Sequence, residues 1–424
     1  MKITNKIKIS LSVTLFVALT TALVLAYISQ PVLYISPYPA GKNFAFTITD
    51  DPDGAQLEKI KPVYALLDKL GFKTTMACWV YKPDDVSGMP DPQEQLASET
   101  LQDGEYLKFL NEYKDKGFEI ALHTVTSGND KRDVTIKGYE RFKEVFGKYP
   151  EINIMHSKNK EDIYWGRNVF KNPIMRSLVS LYDRTLFSGE GTKSPYFWGD
   201  ICKEKTKYVR LWGTSDINTL KFNPSMPYHD SDKPYVNYWF SFSDGYTAKY
   251  FYTLISPKNV ERLVKERGAC IVYTHFAAGF AKKIANGRYE IEQGIKNRLE
   301  NLSIQKEGWF VPAGVLLDRL AATKNILMVQ NGKRIDIVNR NTVELKGLTL
   351  IVKPFVQYQD ESGAINKANA DGEILLGTVL PGQKRTVYLD ERVTLLRPTI
   401  APVFFETNRM ILQRVKIMLF SHRG

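Results

Sequence analysis

From Asn43 onward the chain alternates short apolar runs with segments of helical period, and several of the apolar runs stop on a carboxylate or an imidazole. Asn43–Thr49 (NFAFTIT) has the pattern of a buried strand and ends at Asp50. Pro62–Leu70 carries Val63, Leu66, Leu67 and Leu70 at helical spacing, with Gly71 placed to stop the helix. Lys73–Tyr81 is the next strand; Tyr106, Phe109, Leu110 and Tyr113 then share one helical face before Gly117, and Phe118–Leu122 is a strand that ends at His123. Lys207–Trp212 and Ala269–Tyr273 are further strands, the second followed at once by Thr274 and His275. Strands that alternate with helices imply βαβ units and a largely parallel sheet. In such sheets sites gather at the C-terminal ends of strands. Asp50, Asp51, His123 and His275 all stand at that end.

The flanks of this region differ from it. Lys2, Lys6 and Lys8 precede an apolar run over Ile9–Ile28, and no charged residue occurs between Ile9 and Gly41. That length matches the ~20 residues of a membrane-spanning helix and exceeds the apolar core of a usual cleaved signal. Residues 1–30 are therefore expected to anchor the chain, with the rest outside the membrane; cleavage after Val24-Leu25-Ala26, leaving a secreted or periplasmic protein, is the alternative. Residues 31–42 (with YISPYPAGKN) are expected to be a linker, and 43–321 the α/β domain. Beyond Ala321 strand-like runs follow one another without helices, beginning with a hairpin signal at Asn331-Gly332 that predicts a type I′ turn. Residues 322–402 are expected to form a small all-β domain, and 403–424 a basic amphipathic tail. The chain has 58 Lys and Arg against 46 Asp and Glu, but these are interspersed and form no nucleic-acid-binding arm. Three cysteines are too few for a disulfide scaffold and show no zinc-ribbon spacing.

Thr49-Asp50-Asp51-Pro52-Asp53 puts consecutive carboxylates at a strand end, where one can hold a cation and its neighbour act as a base toward water. The plain alternative is a solvated Asp-Pro-Asp-Gly turn. A strand-end His beside a strand-end Asp makes a plausible divalent-metal pair. His275 is placed to be a general acid or base. His156 follows another short apolar stretch, whereas His229 and His422 are expected to be uninvolved.

Over residues 43–320 the sequence resembles the polysaccharide deacetylases of carbohydrate esterase family four. Phe46–Asp51 (FTITDD) is similar to the family's first motif, Gly117–Ser127 (GFEIALHTVTS) to its second, and Ile271–His275 to its closing strand. Trp212–Asp216 stands where a Trp/Asp-bearing motif is expected, and Trp309-Phe310 with Pro312, Gly314 and Leu317 are similar to the final strand and helix. The resemblance implies an irregular (β/α) barrel and a metal-dependent hydrolase that removes acetyl groups from an extracytoplasmic polysaccharide. It implies Asp50 as base, Asp51 and His123 as ligands of a divalent metal, zinc first, and His275 as the acid that protonates the leaving amine. Trp212 and Asp216 would contact the glycan.

Two departures bear on that reading. The family's second metal histidine, four residues after the first, is Ser127 here, and the Arg-bearing third motif is replaced around Met155-His156-Ser157. Either His156 or a water held by Ser127 would complete the metal shell, or the site is degenerate and the domain binds glycan without turnover. Asp51-x-Asp53 also permits a membrane-anchored glycosyltransferase, but the motif opens the domain and no phosphate-binding glycine motif accompanies it.

Overall fold

The computed structural model describes residues 32–87, 92–182, 184, 186–353, 356–369, 371–390 and 393–395. The chain divides into two compact units, one over Gly41–Ala321 and the other joining residues 32–40 to residues 322–395. The expected anchor (1–30) and tail (403–424) lie outside the described residues. Among those described, no helix is long and apolar enough to cross a membrane.

β1 (Val32–Ile35) belongs to the second unit, as set out below. In the first unit, β2 (Phe44–Asp50), β3 (Thr75–Cys78), β4 (Glu119–Leu122), β5 (Ile152–Asn153), β6 (Tyr208–Thr214), β7 (Tyr238–Asp244) and β8 (Ala269–Thr274) pair in chain order. All these pairings are parallel, and β8 returns to β2 with Ala45 opposite Ala269 and Asp50 opposite Thr274. The result is a closed seven-stranded parallel barrel. A small hairpin follows, β9 (Ala281–Lys283) with β10 (Tyr289–Ile291), and β11 (Gly308–Trp309) lies parallel to the start of β2.

Every residue of β2 is buried. That is why FAFTITD reads as a continuous run rather than an alternating one: a strand covered on both faces has no solvent side. Helices supply the outer cover. The helix Leu57–Lys69 buries Ile60, Val63, Tyr64, Leu66 and Leu67, and the helix Gly104–Asp115 buries Tyr106, Phe109, Leu110 and Tyr113. Tyr64 stands edge-on to Phe109, Tyr113, Phe118 and Phe276, so its ring joins both helices to the loop after β8.

The second unit has two sheets. One runs β17 (Glu373–Val379), β14 (Leu345–Lys353), β1, β19 (Thr394–Leu395); the other runs β12 (Ile326–Asn331), β13 (Arg334–Asn339), β18 (Lys384–Leu389), β15 (Gln357–Gln359), β16 (Ile365–Lys367). Leu33, Ile335, Ile337, Leu350, Val352 and Val387 meet in its core. Two expectations need correction here. Val32–Ile35 is not linker: it pairs antiparallel with β14, because Leu33 and Ile35 have an apolar face to bury there. The β12–β13 turn is centred on Gly332-Lys333, since Asn331 pairs with Arg334; only Gly332 has positive φ (+61°), whereas a type I′ turn needs two such residues.

The helix Arg132–Phe146 packs Gly138 against the loop that carries His123. A Cβ at Gly138 would come within 2.3–2.4 Å of both Val125 methyls. Gly138→Ala gains ~1 kcal/mol of helix propensity, but overpacking of this kind costs ~1–3 kcal/mol. We expect denaturant unfolding to show a net loss that Gly138→Ala/Val125→Ala largely recovers; additive effects of the two changes would reject this contact as the cause.

Candidate active site

Residues in or just after β2, β4, β5, β6, β7 and β8 surround one cavity of about 230 Å³. Asp51, Asp53, His123, His156, His275 and Arg210 line it, with Met155, Trp165, Phe242, Tyr246 and Tyr273 as apolar wall.

Asp50 closes β2. Its Oδ2 accepts from the Tyr64 hydroxyl at 2.6 Å and its Oδ1 from the Phe276 backbone N–H at 2.7 Å. Burial raises its carboxyl, and these two donors offset the rise only in part, leaving it at about 7. Both oxygens are engaged, and Asp50 is not among the residues lining the cavity. One residue on, the Asp51 N–H continues the ladder to Thr274 O at 2.9 Å. Its carboxylate takes a bidentate pair from Arg210, with Nη1 at 2.8 Å from Oδ1. Arg210 is buried in the middle of β6, stacked over Tyr273 (4.5 Å) and Phe242 (5.1 Å), and also donates to Thr49 Oγ1. A guanidinium inside a barrel is tolerable only when so paired.

The chain then turns. Ala55 N–H reaches Pro52 O at 2.9 Å, and Gly54 takes φ +66°, where a Cβ would strike Glu94 at 2.3 Å. This turn sends Asp53 back into the cavity. Asp53 Oδ1 lies 3.0 Å from His156 Nε2 and accepts from Gln95 Nε2 at 3.2 Å. Asp53 Oδ2 lies 3.4 Å from both His123 Nε2 and His275 Nε2.

Each of these rings is fixed through its other nitrogen. His123 Nδ1 meets Ile154 O at 2.9 Å, His156 Nδ1 meets Asn159 Oδ1 at 2.9 Å, and His275 Nδ1 meets Tyr246 O at 2.9 Å. Carbonyl oxygens only accept, so all three Nδ1 atoms carry hydrogen. Trp79 stacks on the His123 ring, with centroids 5.6 Å apart. Thr124, at φ +53°, turns the chain sharply after His123, a strained conformation for a β-branched residue. Burial alone would raise the Asp53 carboxyl, yet the imidazoles of His123, His156 and His275 around it, that of His156 in hydrogen-bond contact, hold it well below the usual carboxylate range. Burial pulls His275 down, but Asp53, Asp51 and the Tyr246 carbonyl outweigh it and lift the ring to about 9. His156 is raised in the same way, against burial, mainly by Asp53.

The donor set fits a divalent cation. His123 Nε2 and Asp53 Oδ2 are buried without a hydrogen-bond partner. The donor atoms of Asp53, His123 and His156 lie within 4.8 Å of one another, as do those of Asp51, Asp53 and His275. Two imidazoles and a carboxylate are usual ligands of a catalytic zinc, whose bonds of ~2.0–2.2 Å set neighbouring donors about 3–3.5 Å apart.

The structure distributes the expected residues unevenly. His123, His156, His275 and Asp51 come together, while Asp50 faces the barrel seam. Ser127 is fully buried with no partner on its Oγ and does not line the cavity. Trp212 and Asp216 do not line it either: Trp212 packs edge-on to Phe170, and Asp216 accepts from Arg262 at 2.9 Å. Arg210 and Gln95 were not anticipated as site residues, and Asp53 entered only through the Asp51-x-Asp53 spacing of the glycosyltransferase alternative. A lone charged residue within the strand run YVRLW was the available signal for Arg210.

No protein-family model and no curated protein matches this sequence. Among solved structures, the chain is similar to PuuE allantoinase (12% identity over 68% of this chain and 94% of that one, TM-score 0.40). It is also similar to a polysaccharide deacetylase from Bacillus cereus (11%, 63% and 91%, 0.27) and to a mutant of a family-four pseudoenzyme with restored activity (13%, 68% and 71%, 0.29).

The raised Asp50 carboxyl has a consequence for stability. The folded state keeps this proton up to about pH 7, whereas an unfolded chain releases it near 3.8. Stability from this group is therefore complete below about pH 4 and lost as pH rises to about 7, on the order of 4 kcal/mol across the window. Asp50→Asn should flatten that part of the curve in denaturant unfolding of metal-free protein; an identical slope in the two proteins would reject the assignment.

Proposed function

We propose that this chain is a metal-dependent hydrolase that removes acetyl groups from a glycan outside the cytoplasmic membrane. The observation that carries the reading is the convergence of Asp53, His123 and His156 in one cavity, with Asp51 and His275 beside them. The sequence motifs that resemble polysaccharide deacetylases supply the substrate class. In this reading Asp53, His123 and His156 hold a divalent ion, zinc first. Such an ion supplies Lewis acidity toward an acyl oxygen and lowers the pKa of water.

The protein's own groups do the rest. Asp51, oriented by Arg210, is the carboxylate that faces the cavity and takes the proton of the attacking water. The base role implied for Asp50 by motif position thus passes to its neighbour, because Asp51 lines the cavity and Asp50, bonded to Tyr64 and Phe276 at the barrel seam, does not. His275 holds hydrogen on Nδ1 against Tyr246 O and, at neutral pH, a second proton on Nε2. It gives that proton to the leaving nitrogen, since an amine anion is too poor a leaving group to depart alone. Trp165 and Tyr246 offer faces on which a sugar ring can rest. The apolar run over residues 9–28 tethers the catalytic unit on the outer side; protease added to intact cells should degrade it, and protection equal to that of a cytoplasmic marker would reject the location.

We expect Asp53→Ala and His123→Ala to lose both zinc and acetate release from N-acetylglucosamine oligomers. Asp51→Asn and His275→Ala should keep zinc while losing rate by about 10²–10⁴, with His275→Ala hurting amide substrates more than esters. Zinc binding without acetate release in the unmodified protein would favour a glycan-binding role. Unchanged turnover in Asp51→Asn and His275→Ala would reject the mechanism.

A further inference from the structure

Behind His156 lies a buried polar chain that the hydrolytic reading leaves unused. His156 Nδ1 meets Asn159 Oδ1 at 2.9 Å, and the Asn159 amide nitrogen donates to Gly128 O and to Glu161 Oε1. Asn159 is completely buried and Glu161 nearly so. Gly128 O can only accept, so the amide nitrogen must face it and Oδ1 must face His156. The other Glu161 oxygen accepts from the Asp130 N–H at 3.0 Å. The Asp130 carboxylate in turn holds Val125 N–H, Thr126 N–H and the Thr126 hydroxyl at 2.7–3.0 Å. One side-chain amide thereby joins the loop bearing His156 to the loop bearing His123 and Ser127. Gly128 is tied into the same join: a Cβ there would meet Asp85 O at 2.2 Å, so only glycine can bring its carbonyl to this point.

We infer that Asn159 is a positioning residue which sets His156 as a metal ligand, in place of a histidine at position 127. This rests on the proposal that Asp53, His123 and His156 hold a divalent ion. The argument is one of tautomers. Neutral imidazole carries a single hydrogen, and whichever nitrogen bears it cannot bind a metal. With Asn159 Oδ1 accepting from Nδ1, the lone pair is on Nε2 and points toward Asp53. Without that acceptor, Nε2 could keep the hydrogen and donate it to Asp53, and the third ligand would be lost. Outer partners of metal-bound histidines typically govern affinity by 10–100-fold. The Ser127 hydroxyl, buried beside this join and without a partner, has no comparable reach.

The test uses the full chain and zinc alone. Zinc affinity is read by competition with a chromophoric chelator, and the His156 tautomer by imidazole ¹⁵N NMR of metal-free protein at alkaline pH. Asn159→Leu keeps the volume but removes the acceptor. It should weaken zinc binding by about 10–100-fold and abolish the fixed Nδ1–H form of His156. Asn159→Asp/Glu161→Gln restores an acceptor toward His156 and sets the amide donor of the new glutamine against the new carboxylate, giving up only the bond to Gly128 O; it should recover at least ten-fold of the lost affinity and the Nδ1–H form. This double variant carries the test alone if Asn159→Leu does not fold. Wild-type affinity and tautomer in Asn159→Leu would overturn the inference, as would a double variant as impaired as Asn159→Leu. Failure of the unmodified protein to bind zinc would instead reject the metal reading, and the tautomer measurement would still decide what Asn159 does.

Discussion

Three imidazole Nε2 atoms surround one half-buried carboxylate, that of Asp53, and this is the constraint from which the site follows. Each ring is turned by a bond from Nδ1 to an acceptor, so a neutral ring would present its lone pair to Asp53. Lone pairs facing a carboxylate at 3.0–3.4 Å repel unless positive charge lies between them. Protons supply that charge in the metal-free protein, which is why His156 and His275 are raised and Asp53 is depressed. A divalent cation held by Asp53, His123 and His156 would supply it better, and it would release the proton that the ligand ring of His156 otherwise carries, leaving the proton of His275, which is not a ligand.

Arg210 decides which carboxylate is available for that cation. Placed inside a closed barrel, it must be paired, and Asp51 provides both oxygens. Breaking such a buried pair by removing one partner costs ~3–5 kcal/mol. Asp51 is therefore held on the Arg210 side of the cavity, 3.8 Å from His123 Nε2, while Asp53 reaches the imidazoles more closely. Asp50, meanwhile, stitches β2 to Tyr64 and to the backbone after β8, where the barrel closes. Three aspartates within four residues thus serve three different ends.

Local pattern made part of this visible. The strand runs ending at Asp50, His123 and His275 announced a parallel sheet with chemistry at its C-terminal edge, because a fully buried strand writes itself as an unbroken apolar run. Asp53 was hidden for the opposite reason. It lies beyond Pro52 in a segment that any solvated turn could share, and only Gly54 and the incoming helix Pro92–Ala97 fold it inward. Arg210 sits 159 residues from Asp51, and its partner depends on barrel closure, which no local spacing encodes. β1 was mistaken for linker because its four residues find their partner in β14, more than 300 residues away.

The central claim is that a divalent ion belongs among Asp53, His123 and His156 while Asp51 stays with Arg210. Crystals of the zinc-loaded protein, measured at the zinc absorption edge, test it most directly. The account predicts one anomalous peak at ~2.0–2.2 Å from Asp53, His123 and His156, with the Arg210–Asp51 pair intact. A peak bonded to Asp51 and His123 but not to Asp53, or no peak in this cavity, would contradict it.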